Sequence, residues 1–177
     1  MNVFWSALAA FLPNWVLPES IGDCQRQLPP WFENIGKRQV RSPKVYIADS
    51  GIFHALLGLG AREDVLSHPR VGASWEGFVV GQIMHLMSAG QGQCFHWSTH
   101  TGAALDLLVV TGSRRYGFEV KRAEAPRLTP SMRSAMETLK LDSLSVVHVG
   151  DRSYQLAAGI RALPATRLVA ALEPLPE

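Results

Sequence analysis

The chain has 177 residues, of which 47% are hydrophobic and 18% are charged, and its formal net charge is +2. This composition excludes a disordered tail and predicts globular material with a full hydrophobic core. The net charge is too small to indicate a nucleic-acid partner by itself, and the two widely spaced cysteines exclude a disulfide framework, which favours a cytoplasmic setting.

The chain is predicted to contain an apolar arm over residues 1–30 and a single domain over residues 31–177. Aromatic residues of the arm lie among prolines, and we expect the arm to dock on a surface or on a second copy, which would give a homo-oligomer. Pro13 and Asn14 interrupt its apolar run, so we expect no membrane span. The sequence contains no GxxxxGK[ST] motif, so we expect no nucleotide site in this chain.

A basic run follows the arm and precedes the strand-like segment "KVYIAD". It consists of Lys37, Arg38, Arg41 and Lys44. Such a run can contact phosphates of a nucleic acid, and the alternative is a solvated loop. After the strand, Ser50 is predicted to be the N-cap of a short helix that ends at Gly58 or Gly60.

Helical and strand patterns then alternate along the chain. Apolar residues at helical spacing predict a helix over 72–88, followed by the strands "QCFHW", "ALDLLVV" and "RYGFEVK". The last two strands are joined by a turn at Thr111–Arg114. A second helix is predicted from Thr129 to Lys140, followed by the central strand "LSVVHV", parallel to a strand before the helix. The strand "YQLAA" is predicted to be the last, before a closing helix "ATRLVAAL". The order predicts an α/β fold, in which a mixed sheet is flanked by helices.

The segment "GFEVKR" carries an acid and a base on one strand face, because side chains alternate across a strand and Glu119 and Lys121 are two residues apart. A two-residue turn after Thr111 pairs residues whose numbers sum to 225, so Asp106 is expected opposite Glu119. Two facing carboxylates repel each other unless a divalent cation such as Mg²⁺ lies between them. These residues therefore predict a metal site at Asp106 and Glu119, with Lys121 assisting and Glu76 as an outer acid; surface ion pairing is the alternative.

A second group of metal-binding residue types is Cys94, His96 and His100. Structural zinc sites need four ligands, and no fourth is evident nearby in the sequence. We therefore interpret Cys94 as a core residue and the two histidines as polar groups at strand and loop ends.

The residues of this candidate site lie within a pattern that resembles a known superfamily. Asp106 and Glu119-Val120-Lys121, in this element order, resemble the PD-(D/E)XK nucleases, which have a restriction-endonuclease-like fold. Residues from about 27 to 168 also resemble the uncharacterised domain that follows the ATPase core in many bacterial and archaeal AAA-type ATPases. The matching segments are "LPPWFENIGKR", "SPKVYIADSGIFHALLG", "GASWEGFVVGQI", "LDLLVV" and "GFEVKR".

The resemblance implies a restriction-endonuclease-like core with a helix, a three-strand meander, a helix and a strand. It implies that Asp106 and Glu119 bind Mg²⁺, or alternatively Mn²⁺, that Lys121 is the catalytic base or an electrostatic stabiliser, and that Glu76 is the helix acid. The expected activity is phosphodiester hydrolysis on a nucleic acid. The alternative is a catalytically inactive module that binds nucleic acid or an ATPase, which is favoured by Ala104, where the family usually has an acid.

Overall fold

The computed structural model describes residues 25–32 and 40–175 of the chain. Within these residues the strands are β1 (Gln25–Leu28), β2 (Lys44–Ile47), β3 (Cys94–Ser98), β4 (Ala104–Thr111), β5 (Arg114–Lys121), β6 (Ser143–His148), β7 (Tyr154–Ala157) and β8 (Ile160–Pro164). The α-helices are α1 (Ser50–Leu56), α2 (Arg62–Ser67), α3 (Val71–Leu86), α4 (Pro130–Leu139) and α5 (Leu168–Ala171).

A six-stranded mixed sheet forms the centre of the fold, with the strand order β3-β4-β5-β6-β8-β7. The first three strands form the predicted antiparallel meander, and β5, β6 and β8 run parallel. The predicted parallel pairing of "LSVVHV" with the strand before the second helix is therefore confirmed. The strands β1 and β2 form a separate antiparallel pair beside β3, to which the chain after β1 is tied by a hydrogen bond from Trp31 N to His96 O (2.7 Å).

The two long helices cover opposite faces of the sheet. Val79 and Ile83 of α3 pack in one buried cluster with Phe118 of β5. Met132 and Leu139 of α4 pack in a second cluster on the other face. A helix that presents apolar residues at this spacing buries them against a sheet face, which is the arrangement that the sequence periodicity predicts.

Most predicted elements are confirmed, including the helix over 72–88, which is α3. The predicted N-cap at Ser50 is wrong by one residue, because Asp49 Oδ1 accepts from Ile52 N (2.8 Å). "YQLAA" is not the last strand: it forms β7, and Ile160–Pro164 follows as β8 between β6 and β7. The predicted closing helix begins as a 3-10 turn at Ala165–Arg167 before α5.

Parts of the predicted arm and basic run lie outside the described residues. These are residues 1–24 of the arm, together with Lys37 and Arg38. The last part of the arm, Gln25–Leu28, forms β1. Across residues 25–32 and 40–175, none of the helices has the length and apolar character needed to cross a bilayer.

Candidate active site

Asp106 lies at an irregularity in β4 that sequence patterns did not predict. Phe95 of β3 pairs with Leu108, whereas Trp97 pairs with Leu105, so Asp106 and Leu107 together lie opposite a single residue of β3. Such a bulge breaks the alternation of side chains and redirects the residues in it. As a result Leu105 packs in the cluster beneath α4 and Leu107 in the cluster beneath α3, although they are two residues apart.

The carboxylate of Asp106 joins β4 to β5 and to β2. Its Oδ2 accepts a hydrogen bond from the backbone N–H of Val120 (2.9 Å), and its Oδ1 accepts one from Nζ of Lys44 (2.9 Å). The side chain is largely buried, at 13% exposure. A buried carboxylate with both oxygens hydrogen-bonded is held in one orientation, so the side chain of Asp106 has a defined position in this site.

The predicted register of the β4–β5 hairpin is confirmed. Pairs from Thr111↔Arg114 to Leu107↔Phe118 follow the predicted sum, and Gly112 in the two-residue turn has a φ of 55°, which favours glycine. The ladder ends at Leu107↔Phe118, one pair before Asp106 and Glu119. Beyond this pair, the hydrogen bond from Val120 N to the side chain of Asp106 connects the two strands in place of a backbone hydrogen bond.

Glu119 and Lys121 share a strand face as predicted and form an ion pair, with Lys121 Nζ 2.6 Å from Glu119 Oε1. Burial raises the pKa of Glu119 to about 7, with a further upward contribution from the charge of Asp106, despite the opposing effect of Lys121. Burial alone would lower the pKa of Lys121, but its hydrogen bond and charge interaction with Glu119 raise it above its ordinary value. Lys121 is therefore a charged ammonium at neutral pH.

Glu76 lies on α3 and receives two donors from β2. Its Oε1 accepts from Nζ of Lys44 and from the phenol of Tyr46. The strand can approach the helix this closely because Gly77 has no side chain: a Cβ there would lie 3.1 Å from Cδ1 of Tyr46. Glu76, which the resemblance implies to be the helix acid, therefore lies beside Lys44, which also contacts Asp106.

Lys44 was predicted to belong to a basic run that contacts phosphates, but in the structure it contacts acids of the same chain. It occupies β2, two residues before Tyr46 on the same strand face, and its half-buried ammonium lies between the carboxylates of Glu76 and Asp106. Burial lowers the pKa of Lys44, but the interactions with Asp106, Tyr46 and Glu76 outweigh it and raise the pKa well above its ordinary value. The alternating pattern K-x-Y in "KVYIAD" was the available sequence signal for this paired role.

The segment before Lys44 is itself fixed to β3. Nε2 of His96 donates to the carbonyl oxygen of Ser42 (3.0 Å), and Val40 N donates to Ser98 O (3.0 Å). Burial lowers the pKa of His96, which favours the neutral ring in this role. Arg41, the other described residue of the basic run, is exposed.

The second predicted group, Cys94, His96 and His100, does not come together. Cys94 is buried and His96 is bonded to Ser42 as above, whereas His100 is exposed. In the described part of the chain, no three His, Cys, Asp or Glu side chains are grouped so that they could hold a metal ion. The acids of the candidate site therefore form no such group while Lys44 lies between Glu76 and Asp106.

A separate open cavity of about 390 Å³ lies between β2, α1 and α3, lined by residues such as Val45, Phe53, Leu57 and Ser74. Asp106, Glu119 and Lys121 are not among its lining residues. The charged cluster is more relevant to chemistry than this apolar cavity, because it brings carboxylates and amines together and shifts the pKa values of Glu119, Lys44 and Lys121.

Comparison with known proteins finds two family matches. Residues 71–168, more than half of the chain, match the domain of unknown function DUF4143, and residues 23–63 match the domain of unknown function DUF8612. Uncharacterized protein Rv2008c of Mycobacterium tuberculosis and Uncharacterized protein Mb2031c of Mycobacterium bovis are each 45% identical to this chain over 144 residues. The aligned region is 81% of this chain but 32% of either relative, so the chain spans about a third of their length. No solved structure matches the chain.

Proposed function

We propose that this chain, which belongs to the DUF4143 family, is a divalent-metal-dependent nuclease domain with a restriction-endonuclease-like core. The observation that carries the proposal is the fixed carboxylate of Asp106, hydrogen-bonded to Val120 N at the level where Glu119 and Lys121 form their ion pair. An acid on one strand and an acid with an amine on the next are the residue types that metal-assisted phosphodiester hydrolysis requires.

The donor atoms fit a hard divalent cation. Carboxylate oxygens are the ligands that Mg²⁺ and Mn²⁺ prefer, and Mg²⁺ is commonly bound by one or two carboxylates while keeping several waters. Oxygens of Glu76 and Asp106 already converge on one cation, the ammonium of Lys44. Asp106 and Glu119 would hold the metal, with Glu76 as the outer acid.

The bound metal would supply Lewis-acid stabilisation of the negative charge that develops on the phosphate. The chain's own residues would orient the metal-binding carboxylate and neutralise the charge that develops on the phosphate. Asp106 is held by the β5 backbone, so it needs no reorganisation when substrate arrives. The raised pKa of Lys121 keeps its ammonium charged, which favours the role of electrostatic stabiliser of the phosphate over that of general base.

The expected substrate is a nucleic acid, and the expected functional partner is an ATPase module. Both follow from the resemblance of the sequence to the domain attached to AAA-type ATPases. They are compatible with relatives that are about three times as long as the aligned region. Exposed Arg41 is the described residue of the basic run that is free to contact phosphates, since Lys44 is engaged with two acids.

A second candidate function is a catalytically inactive module of the same fold that binds nucleic acid or an ATPase. One observation favours it: among the described residues no three donors are grouped to hold a metal. The resemblance favours it too, because Ala104 occupies a position where the nuclease-like domain that the sequence resembles usually has an acid. The backbone of Ala104 is instead bonded by Ser131, whose Oγ accepts from Ala104 N (2.9 Å) and donates to Ala104 O (3.0 Å).

The test incubates the protein with labelled DNA and RNA, single-stranded and duplex, with Mg²⁺, with Mn²⁺ or with a chelator. Wild type is compared with Asp106→Asn, which keeps the size of the side chain but removes its charge. The matched control is Glu137→Gln, which removes the same charge from an exposed position on α4. We expect metal-dependent cleavage by wild type and Glu137→Gln and none by Asp106→Asn.

Cleavage that persists in Asp106→Asn at the wild-type rate contradicts the nuclease assignment. Binding of the labelled nucleic acid by all three proteins, without cleavage under any metal condition, supports the inactive module instead.

A further inference from the structure

Each acid of the candidate site is paired with an ammonium group of the same chain. Lys44 lies between Glu76 and Asp106, and Lys121 pairs with Glu119. Three carboxylates and two ammoniums in one largely buried cluster leave little net charge for a divalent cation to neutralise. A metal that enters this cluster must therefore compete with a cation that is already there.

The competition centres on one oxygen of Asp106. Its Oδ2 is bound to the backbone N–H of Val120 and stays in place for as long as β4 and β5 keep their positions. Its Oδ1 is bound to Lys44 at the end of a flexible side chain. The contact that can be given up is the one with Lys44, so Oδ1 becomes available to a metal when Lys44 leaves.

The strand that carries Lys44 can remain docked when the ammonium leaves. Tyr46 still donates to Glu76, and His96 still donates to the carbonyl of Ser42. The side chain of Lys44 is 36% exposed, so its four-carbon stem can turn the ammonium toward solvent without unfolding β2.

We propose that Lys44 is an internal, displaceable cation that occupies the Asp106 oxygen needed by a divalent metal and blocks the site until it is expelled. This inference rests on the proposed metal-dependent function and adds its regulation. The blocking residue comes from the segment 23–63, whereas the acids that it blocks come from the segment 71–168, so the contact joins the two matched parts of the chain.

The test measures Mn²⁺ binding by the 177-residue protein in two ways, by calorimetry and by the electron paramagnetic resonance signal of free Mn²⁺. Neither readout depends on activity. Lys44→Met removes the ammonium and keeps an unbranched side chain, and Lys140→Met removes the same charge at an exposed position outside the site. Lys44→Arg keeps the charge. We expect Lys44→Met to bind Mn²⁺ about tenfold more tightly than wild type, within the range of typical coupling between sites. Lys140→Met and Lys44→Arg should not gain affinity.

The outcomes separate this inference from the proposed function. If Asp106→Asn abolishes Mn²⁺ binding but Lys44→Met binds like wild type, the metal site stands and the blocking role of Lys44 is overturned. If the double variant Lys44→Met, Asp106→Asn binds as tightly as Lys44→Met, the metal lies elsewhere and both are overturned. Absence of Mn²⁺ binding in every variant also overturns both, whereas a gain that requires Asp106 supports them. A cooperative thermal unfolding transition in each variant verifies that it is folded.

Discussion

Nζ of Lys44 lies 2.9 Å from Oδ1 of Asp106, although 62 positions separate the two residues in the sequence. The contact makes the β1–β2 pair a part of the charged cluster and not only a neighbour of it. Tyr46 and the His96–Ser42 hydrogen bond fix the same strand on either side of Lys44. Substitutions in β2 should therefore change the properties of the acids on α3 and β4.

The first prediction concerns Lys121. We expect Lys121→Ala to leave the fold intact, because its side chain is 42% exposed, and to reduce any metal-dependent cleavage by about 10²-fold or more, as for loss of one electrostatic stabiliser. Cleavage rates are measured at saturating Mn²⁺, and folding is verified by urea unfolding. Lys140→Ala serves as the charge-matched control. Unchanged turnover in Lys121→Ala would remove the catalytic role of this residue.

The second prediction concerns the pH dependence of stability, and its sign follows from Glu119. The pKa of this carboxyl is about 7 in the folded protein against an ordinary value of 4.5. Between these values the folded state holds a proton that the unfolded chain releases. The stability that Glu119 contributes is therefore fully present below about pH 4.5 and is lost as pH rises through 7.

The measurement is urea unfolding in a chelator between pH 4.5 and 8, for wild type and Glu119→Gln. The glutamine is neutral throughout, so we expect the free energy of unfolding to fall less with rising pH in the variant than in wild type. Equal pH slopes for the two proteins would show that Glu119 ionises at its ordinary pKa.

The third prediction concerns the close approach of the loops that follow β5 and β6. A Cβ at Gly150 would lie 2.0 Å from the carbonyl oxygen of Glu124, which is backbone and cannot rotate away. We expect Gly150→Ala to lower the free energy of unfolding by about 1–3 kcal/mol, as for other forced overpacking. Gly92→Ala is the control, because a Cβ there meets nothing within 4 Å. A loss of stability in Gly150→Ala no greater than in the control would contradict the packing of these loops.

The local parts of this structure could be predicted from the sequence. The turn at Gly112 and the alternation of apolar residues were enough to obtain the β4–β5 register, because the turn length sets the pairing. The ion pair of Glu119 and Lys121 follows from the two-residue spacing on a strand. Ile160–Pro164 was missed as a strand because it ends in proline, and its position between two strands depends on long-range packing.

The parts that depend on distant contacts could not be predicted. The bulge at Asp106 and Leu107 arises from the pairing with β3, and no residue within β4 marks it. Lys44 was grouped with Arg41 as a basic run because they are close in sequence, but the fold directs Lys44 to acids on α3 and β4. The sequence shows that neighbouring residues carry the same charge, but it does not show which distant residues each of them contacts.

The last prediction follows from displacement of Lys44 and concerns cooperation between metal and nucleic acid. An ammonium that leaves Glu76 and Asp106 needs another anion, and the phosphates of a bound nucleic acid would supply one next to the site. We expect a saturating, non-hydrolysable single-stranded DNA oligonucleotide to increase the Mn²⁺ affinity of wild type by about fivefold or more, and Mn²⁺ to increase the affinity for this oligonucleotide by the same factor, because coupling is reciprocal. In Lys44→Met the coupling should be lost, since the Mn²⁺ site is already open. Both affinities are measured at one fixed salt concentration, since phosphate contacts weaken with salt. Asp106→Asn serves as the control that cannot bind metal at this site. Equal coupling in wild type and Lys44→Met would show that Lys44 does not move between the acids and the phosphates.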